Sequence, residues 1–303
     1  MSEPRLNVVT GAFGLTGRYI ARILLAESER VHTITGHPGR GAEFGRLITA
    51  HPFNFDNPGL LTESLKGADT LFNTYWIRCE SRGMTFERAV RNSRVLIRAA
   101  VDAGVRRIVH VSVANPSPDS DLPYYRGKAL VEQAVVESGL SFVILRPTVL
   151  FGGEAPLINN IAWFLRRMPV FVVPGSGEYH IQPTHVEDLA EIAVAESRGE
   201  GNACFDVVGP EVFAFNDLLR LIASAVRARA RVIHLPPGIA ALAARGLGAA
   251  LRDTVLTPDE VTGLMRDLLV SREPPRGRVL LSNWIADHAA ELGVEYIADS
   301  RSR

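Results

Sequence analysis

Residues 8–17, Val-Val-Thr-Gly-Ala-Phe-Gly-Leu-Thr-Gly, constrain the fold more than any other stretch of the chain. They read as a buried strand, a glycine-rich turn and the opening of a helix. A backbone comes within contact of a diphosphate only where no Cβ intervenes, and a following helix aims its positive end at the phosphates. Gly11 is expected to make the tight turn, Gly14 the close approach, and Gly17 the packing of helix on strand. Three glycines alone are a weak signal. Here an apolar strand precedes them and an amphipathic helix follows, which is the context a dinucleotide site requires. Thr10, Gly11, Phe13, Gly14, Leu15 and Gly17 are the expected cofactor-binding residues of this loop.

Strand and helix patterns keep alternating beyond the loop, which predicts an α/β fold with a doubly wound parallel (Rossmann) sheet. Helices are expected over about Thr16–Ala26 and Phe86–Ala103, and strands at Val31–Thr35, His51–Phe55, Thr70–Asn73, Arg107–Ser112 and Ser141–Leu145. An acidic residue at the end of the second strand would hold a ribose 2′-hydroxyl. The chain instead reads Thr35-Gly36-His37-Pro38-Gly39-Arg40, so His37 and Arg40 are candidates for a 2′-phosphate and NADP(H) is favoured over NAD(H). Asn73, Thr74 and Tyr75 follow the fourth strand and Val111 ends the fifth, at the carboxyl edge where such sheets bind ligands. Trp76, next along, is a candidate substrate contact.

Leu122-Pro123-Tyr124-Tyr125-Arg126-Gly127-Lys128 carries the candidate chemistry. Residues four apart share a helix face, so Tyr124 and Lys128 are neighbours, and an ammonium nearby lowers a phenol's pKa toward general acid–base use. Tyr-x-x-x-Lys is common by itself; one segment after the fifth strand of a nucleotide fold it is far more specific.

The Thr10–Gly17 loop, the fifth strand ending at Ser112, the Tyr124/Lys128 pair and Arg146-Pro147-Thr148 together resemble the extended and atypical short-chain dehydrogenase/reductases. His185-Val186-Glu187-Asp188-Leu189-Ala190 is similar to a further segment of the extended members, and the likeness covers about Asn7 to Ala195. The resemblance is nearest to the atypical branch containing the NADPH-binding subunit of complex I, regarded as a cofactor-holding subunit rather than an enzyme. It implies Tyr124 and Lys128 as catalytic residues, Asp56 near the adenine and Pro147 against the nicotinamide amide. The family's catalytic serine position falls on Ala114, leaving Ser112 as the candidate third member, with Ser117 as another.

Residues 1–150 are expected to form the NAD(P)-binding domain and 151–303 a smaller, mostly helical substrate lobe, with 185–210 returning to complete the Rossmann domain. Asn159, Asn160 and Trp163 on one helix, and Tyr179 beyond it, are candidate substrate contacts. The same helix also reads as a core helix with outward or capping asparagines, and His180 and His185 read more readily as structural than as acid–base groups. The alanine- and leucine-rich stretch near the end would line an apolar pocket or an oligomer interface; the latter would make a homodimer.

With 47% hydrophobic and 22% charged residues the chain has the balance of a folded protein. Its 33 basic and 33 acidic residues cancel and no basic stripe stands out, so no nucleic-acid partner is expected. Two distant cysteines, Cys79 and Cys204, match no metal spacing; no metal is expected, and a reducing, cytoplasmic location is. Neither a signal peptide nor a membrane span is expected. The expected activity is an NAD(P)-dependent oxidoreductase of a small organic carbonyl or hydroxyl substrate. The alternatives are a non-catalytic NADPH-binding scaffold or redox sensor, and a nucleotide-sugar epimerase or dehydratase, for which Arg166 and Arg167 are the available cations.

Overall fold

The computed structural model describes residues 4–41, 43–81 and 83–298. Two compact units are formed, Met1–Arg146 with Leu189–Phe205, and Pro147–Asp188 with Asp206–Arg303.

The first unit contains β1 (Leu6–Thr10), α1 (Leu15–Ala26), β2 (Arg30–Ile34), β3 (Ile48–His51), α2 (Pro58–Glu63), β4 (Thr70–Asn73), α3 (Phe86–Asp102), β5 (Arg107–Val111), α4 (Pro123–Glu137) and β6 (Ser141–Pro147). The sheet runs β3-β2-β1-β4-β5-β6, parallel at each of these pairings, and a later strand at Ala203–Val207 lies beside β6 as the seventh. β1 and β5 are buried along their whole length, as strands covered by helices on both faces must be. This is the Rossmann-like α/β fold expected from the alternating pattern. Strand order reverses between β1 and β4, so their carboxyl ends diverge into the crevice where such sheets receive ligands. One apolar core, including Val8, Leu71, Leu96, Ile108 and Val131, holds the helices to the sheet.

The third strand lies earlier than the expected His51–Phe55. Ile48 pairs with Val31 and the strand stops at His51, because Pro52 has no N–H to continue the ladder. Phe53 and Phe55 are thereby released to pack on Tyr75, with ring centroids 4.9–5.0 Å apart.

The second unit contains short strands and helices: β7 (Leu150–Phe151), α5 (Pro156–Arg167), β8 (Val170–Pro174), β9 (His180–Ile181) and β10 (Thr184–His185). The chain then passes through α6 (Val186–Ser197) and β11 (Ala203–Val207), the seventh strand of the main sheet. It continues with β12 (Phe213–Ala214), α7 (Phe215–Ala225), β13 (Arg231–Leu235), α8 (Pro237–Leu251), α9 (Pro258–Met265) and α10 (Leu281–Asp287). A separate core around Phe151, Ile161, Leu218, Ile222 and Ile285 joins α5, α7 and α10. Among the described residues no helix is long and apolar enough to cross a membrane, and no group of three or more His, Cys, Asp or Glu could hold a metal ion.

Candidate functional site

The glycine-rich turn is held from three sides. Gly11 N–H donates to Ile34 O (2.9 Å), Ala12 N–H to Thr33 Oγ1 (3.0 Å), and Gly14 N–H to Gly11 O (2.8 Å). Gly11 has φ +66°, where a side chain is strained. A Cβ on Gly17 would stand 2.3 Å from Gly11 O, so only glycine lets α1 start this close to the turn. α1 opens at Gly14 with no side-chain cap, leaving the first-turn amides that a helix cannot pair internally. A cradle without Cβ atoms and with open helix amides fits a diphosphate. Thr10 and Thr74 clip β1 to β4: Thr74 N–H donates to Thr10 Oγ1 (2.8 Å) and Thr74 Oγ1 to Thr10 O (2.5 Å).

Phe13 turns toward the segment after β2. Its ring stacks on Phe44 (6.1 Å) and lies so close to Gly41 that a Cβ there would meet it at 2.5 Å. Arg18 donates to Phe13 O (3.2 Å), and Glu43 pairs with both Arg18 (3.3 Å) and Arg22. These two arginines and the glutamate are the charged groups that strand-end reasoning missed, because Gly41, Glu43 and Phe44 meet the loop only in the folded chain. His37 is half-buried at this turn, its N–H donating to Thr35 Oγ1 (3.1 Å); the Arg40 side chain lies outside the described residues. Asp56 is exposed beyond the Phe53–Phe55–Tyr75 cluster.

At the carboxyl ends of β4 and β5 the polar groups become buried. Asn73 Nδ2 lies 3.2 Å from His110 Nδ1, and Asn73 Oδ1 accepts from Tyr75 N–H (3.2 Å). Tyr75 Oη accepts from Asn92 Nδ2 (2.8 Å), and burial raises the phenol's pKa. Burial, aided by the Lys128 charge, pushes His110 down to about 3, so its ring is neutral. Among the described residues, Trp76 Nε1, His110 Nε2 and Ser112 Oγ are buried without a hydrogen-bond partner. Open polar atoms gathered at a sheet's ligand-binding edge fit a polar ligand there.

α4 brings the Tyr-Lys pair to the same edge. Lys128 is buried; its Nζ donates to Val111 O (2.9 Å) and lies 5.0 Å from the Trp76 ring centroid. Burial pushes its pKa down to about 7, while Glu132, itself bound by Arg146 (2.5 and 3.0 Å), pulls the other way. Tyr124 is half-buried, with its ring edge-on to Trp76 (6.1 Å), Phe86 (5.8 Å) and Tyr125 (5.5 Å). Ala114 is fully buried, and Ser112 lies at the end of β5 with its N–H on Leu145 O (2.7 Å).

A family model described as NAD(P)H-binding matches residues 11–160, from the glycine-rich turn to α5. Over 247 residues the chain is 27% identical to NADH dehydrogenase (ubiquinone) 1 alpha subcomplex subunit 9 of Arabidopsis thaliana, covering 77% of this chain and 60% of that protein. Two solved structures superpose along most of their length. Triphenylmethane reductase of Citrobacter sp. has a TM-score of 0.78 at 14% identity, covering 93% of this chain and 98% of that one. The NADPH-dependent quinone oxidoreductase of Escherichia coli, solved with NADPH, has a TM-score of 0.75 at 19% identity, covering 94% and 99%. At those identities the two structures share the fold.

The chain carries an NAD(P)H-binding domain over residues 11–160, and its relatives and structural neighbours support an atypical short-chain dehydrogenase/reductase-like family.

The second unit places several of the candidate site residues on its own backbone and core. Asn159 and Asn160, candidate substrate contacts on a helix that also reads as a core helix with capping asparagines, bind the backbone of the C-terminal segment. Asn159 Nδ2 donates to Glu295 O (2.8 Å) and its Oδ1 accepts from Gly293 N–H (2.9 Å), while Asn160 brackets Ile297 through both N–H and C=O. Trp163 packs edge-on to Tyr296 (5.2 Å) under Arg167. Arg166 and Arg167, the cations a nucleoside diphosphate would need, donate to carbonyls of Ala289, Leu292, Gly293 and Val294. Tyr179 is a core residue on Phe215, its hydroxyl on Pro174 O (3.1 Å) and its pKa raised by burial. His185 is buried against Phe151 beneath Gly152, and His180 pairs with Asp267. Pro147 ends β6 and is followed by Thr148, whose hydroxyl donates to Gln182 O. The partners of Asn159, Asn160, Arg166 and Arg167 lie more than a hundred residues away in sequence, and no local pattern announces them.

Proposed function

We propose that the chain binds NADP(H) in preference to NAD(H) and interconverts a carbonyl and a hydroxyl group on a small organic substrate. The supporting observation is the pairing on α4, where Lys128 is buried with Nζ on Val111 O and Tyr124 stands one turn earlier on the same helix. Thr10, Gly11, Gly14, Leu15 and Gly17 would hold the diphosphate, and His37 with Arg40 would hold the 2′-phosphate. When bound, the nicotinamide supplies or accepts the hydride. Tyr124 passes a proton between its hydroxyl and the substrate oxygen, and Lys128 in its ammonium form stabilises the phenolate left behind. Ser112, with its open buried hydroxyl, orients the substrate oxygen.

A second reading, a protein that holds NADPH without turning over a substrate, is favoured by Ala114 in the usual serine position and by the likeness to a complex I subunit. The deciding experiment is to denature the purified chain, identify any released nucleotide, then titrate the refolded apo form with NADPH and NADH. Exchangeable NADPH with carbonyl-dependent oxidation supports the enzyme. Tight, slowly exchanging NADPH without turnover supports the holding role, and no binding of either nucleotide removes both. Arg40→Ala is expected to weaken NADPH selectively; equal loss for the two nucleotides would remove the 2′-phosphate assignment.

A further inference from the structure

α8 is apolar apart from Arg245, yet only one side is covered. Ala240 and Gly248 are buried, while Leu247 and Leu251 are half-buried on the same side. The opposite side carries Ile239, 54% exposed, Leu242, 67% exposed, and exposed Arg245, at spacings of three that keep them on one stripe, and exposed Arg252 caps the helix. A helix that is hydrophobic all round is normally enclosed by protein or lipid. β13, which leads into α8 through Pro236 and Pro237, adds exposed Val232 and Ile233 and has a strand partner, β8, on one edge.

Charge distinguishes this surface from an ordinary apolar patch. The chain as a whole is neutral, but residues 218–252 contain six arginines, one histidine and no aspartate or glutamate. Arg220 pairs with Asp217; the other five form no ion pair among the described residues. A cavity of about 390 Å³ lies at the end of α8, lined by Arg245, Gly248, Ala249, Arg252 and Asp253 among others, and is large enough for a phosphate ester.

We propose that the outer face of α8, with the arginine-rich approach through β13, docks on an anionic phospholipid bilayer, Ile239 and Leu242 entering the acyl boundary and Arg245 and Arg252 meeting headgroup phosphates. Aliphatic side chains set among arginines, with the Asp253 carboxylate engaged by the Tyr296 hydroxyl (2.8 Å), complement a negatively charged bilayer surface. A nucleic acid offers no partner for Ile239 and Leu242, and a second copy of the same face would bring arginine against arginine.

The test is co-sedimentation of the full chain with vesicles of phosphatidylcholine alone or mixed with phosphatidylglycerol, at low and high salt. Binding to the mixed vesicles, lost in high salt and absent with phosphatidylcholine alone, is expected. Arg245→Ala/Arg252→Ala should lower partitioning roughly twentyfold or more, and Leu242→Glu should lower it at unchanged net arginine. All these positions are exposed, so melting temperature and NADPH binding should be unaffected; a melting shift of several degrees disqualifies that variant and leaves Ile239→Gln to make the same measurement. The proposal is overturned by no binding to mixed vesicles, by equal binding to neutral ones, or by binding that none of the variants changes. It is equally overturned if Leu242→Glu abolishes self-association or duplex DNA capture while vesicles are not bound.

Discussion

The indole of Trp76 lies across Gly127, so that a Cβ on that glycine would stand 2.8 Å from Cη2 and 3.0 Å from Cζ2. The same ring faces the Lys128 ammonium and presents its side to Tyr124. Gly127 is thus the position that lets an aromatic cover rest on the helix of the Tyr-Lys pair. Gly127→Ala should gain about 1 kcal/mol of helix propensity but lose ~1–3 kcal/mol to overpacking against a stiff ring. A lower melting temperature with shifted tryptophan emission is expected. An unchanged emission spectrum and a raised melting temperature would contradict this packing.

Gly17→Ala places a Cβ 2.3 Å from Gly11 O, where the obstacle is backbone and cannot rotate away. The turn must deform, so nucleotide affinity should fall at least tenfold, about 1.4 kcal/mol or more. Gly39→Ala is the control, because nothing lies within 4 Å of its Cβ position. Equal nucleotide affinity in the two variants would show that the turn is not the binding element.

Tyr124→Phe should abolish turnover while leaving NADPH affinity within about twofold, since the ring contacts with Trp76 and Phe86 are retained. Turnover within tenfold of wild type would mean that another group, such as Tyr125, moves the proton.

Lys128 is held at a pKa of about 7 against an ordinary 10.5. Between those values the unfolded chain carries the proton and the folded chain does not, so stability rises with pH across this window. The cost of burying the cation is fully present below about 7. His110, near 3 against 6.5, acts with the same sign at lower pH, stability falling as pH drops through that range. Thermal melts of wild type and Lys128→Met from pH 6 to pH 10 should show the upward slope reduced in the variant. Parallel curves would place no titrating amine at this position.

Asn160→Ala removes both hydrogen bonds to Ile297 and should cost ~1–3 kcal/mol. Limited proteolysis should then cut the C-terminal segment sooner, with KM for any substrate unchanged. A large rise in KM without faster proteolysis would return Asn160 to the substrate wall.

Local rules of the chain determined much of this protein. The glycine spacing, the strand–helix alternation and the four-residue step from Tyr124 to Lys128 depend on backbone sterics and helix period, both legible over a few residues. Phe53 and Phe55 have strand-forming side chains, but Pro52 ends the ladder at His51 before they can join it. Only the tertiary structure decided that Trp76 covers Lys128, that Glu43 returns to Arg18, and that Asn159, Asn160, Arg166 and Arg167 hold the C-terminal segment more than a hundred residues away. A side chain's partner is fixed by which surfaces meet on folding, and long-range pairing leaves no periodic trace in the sequence.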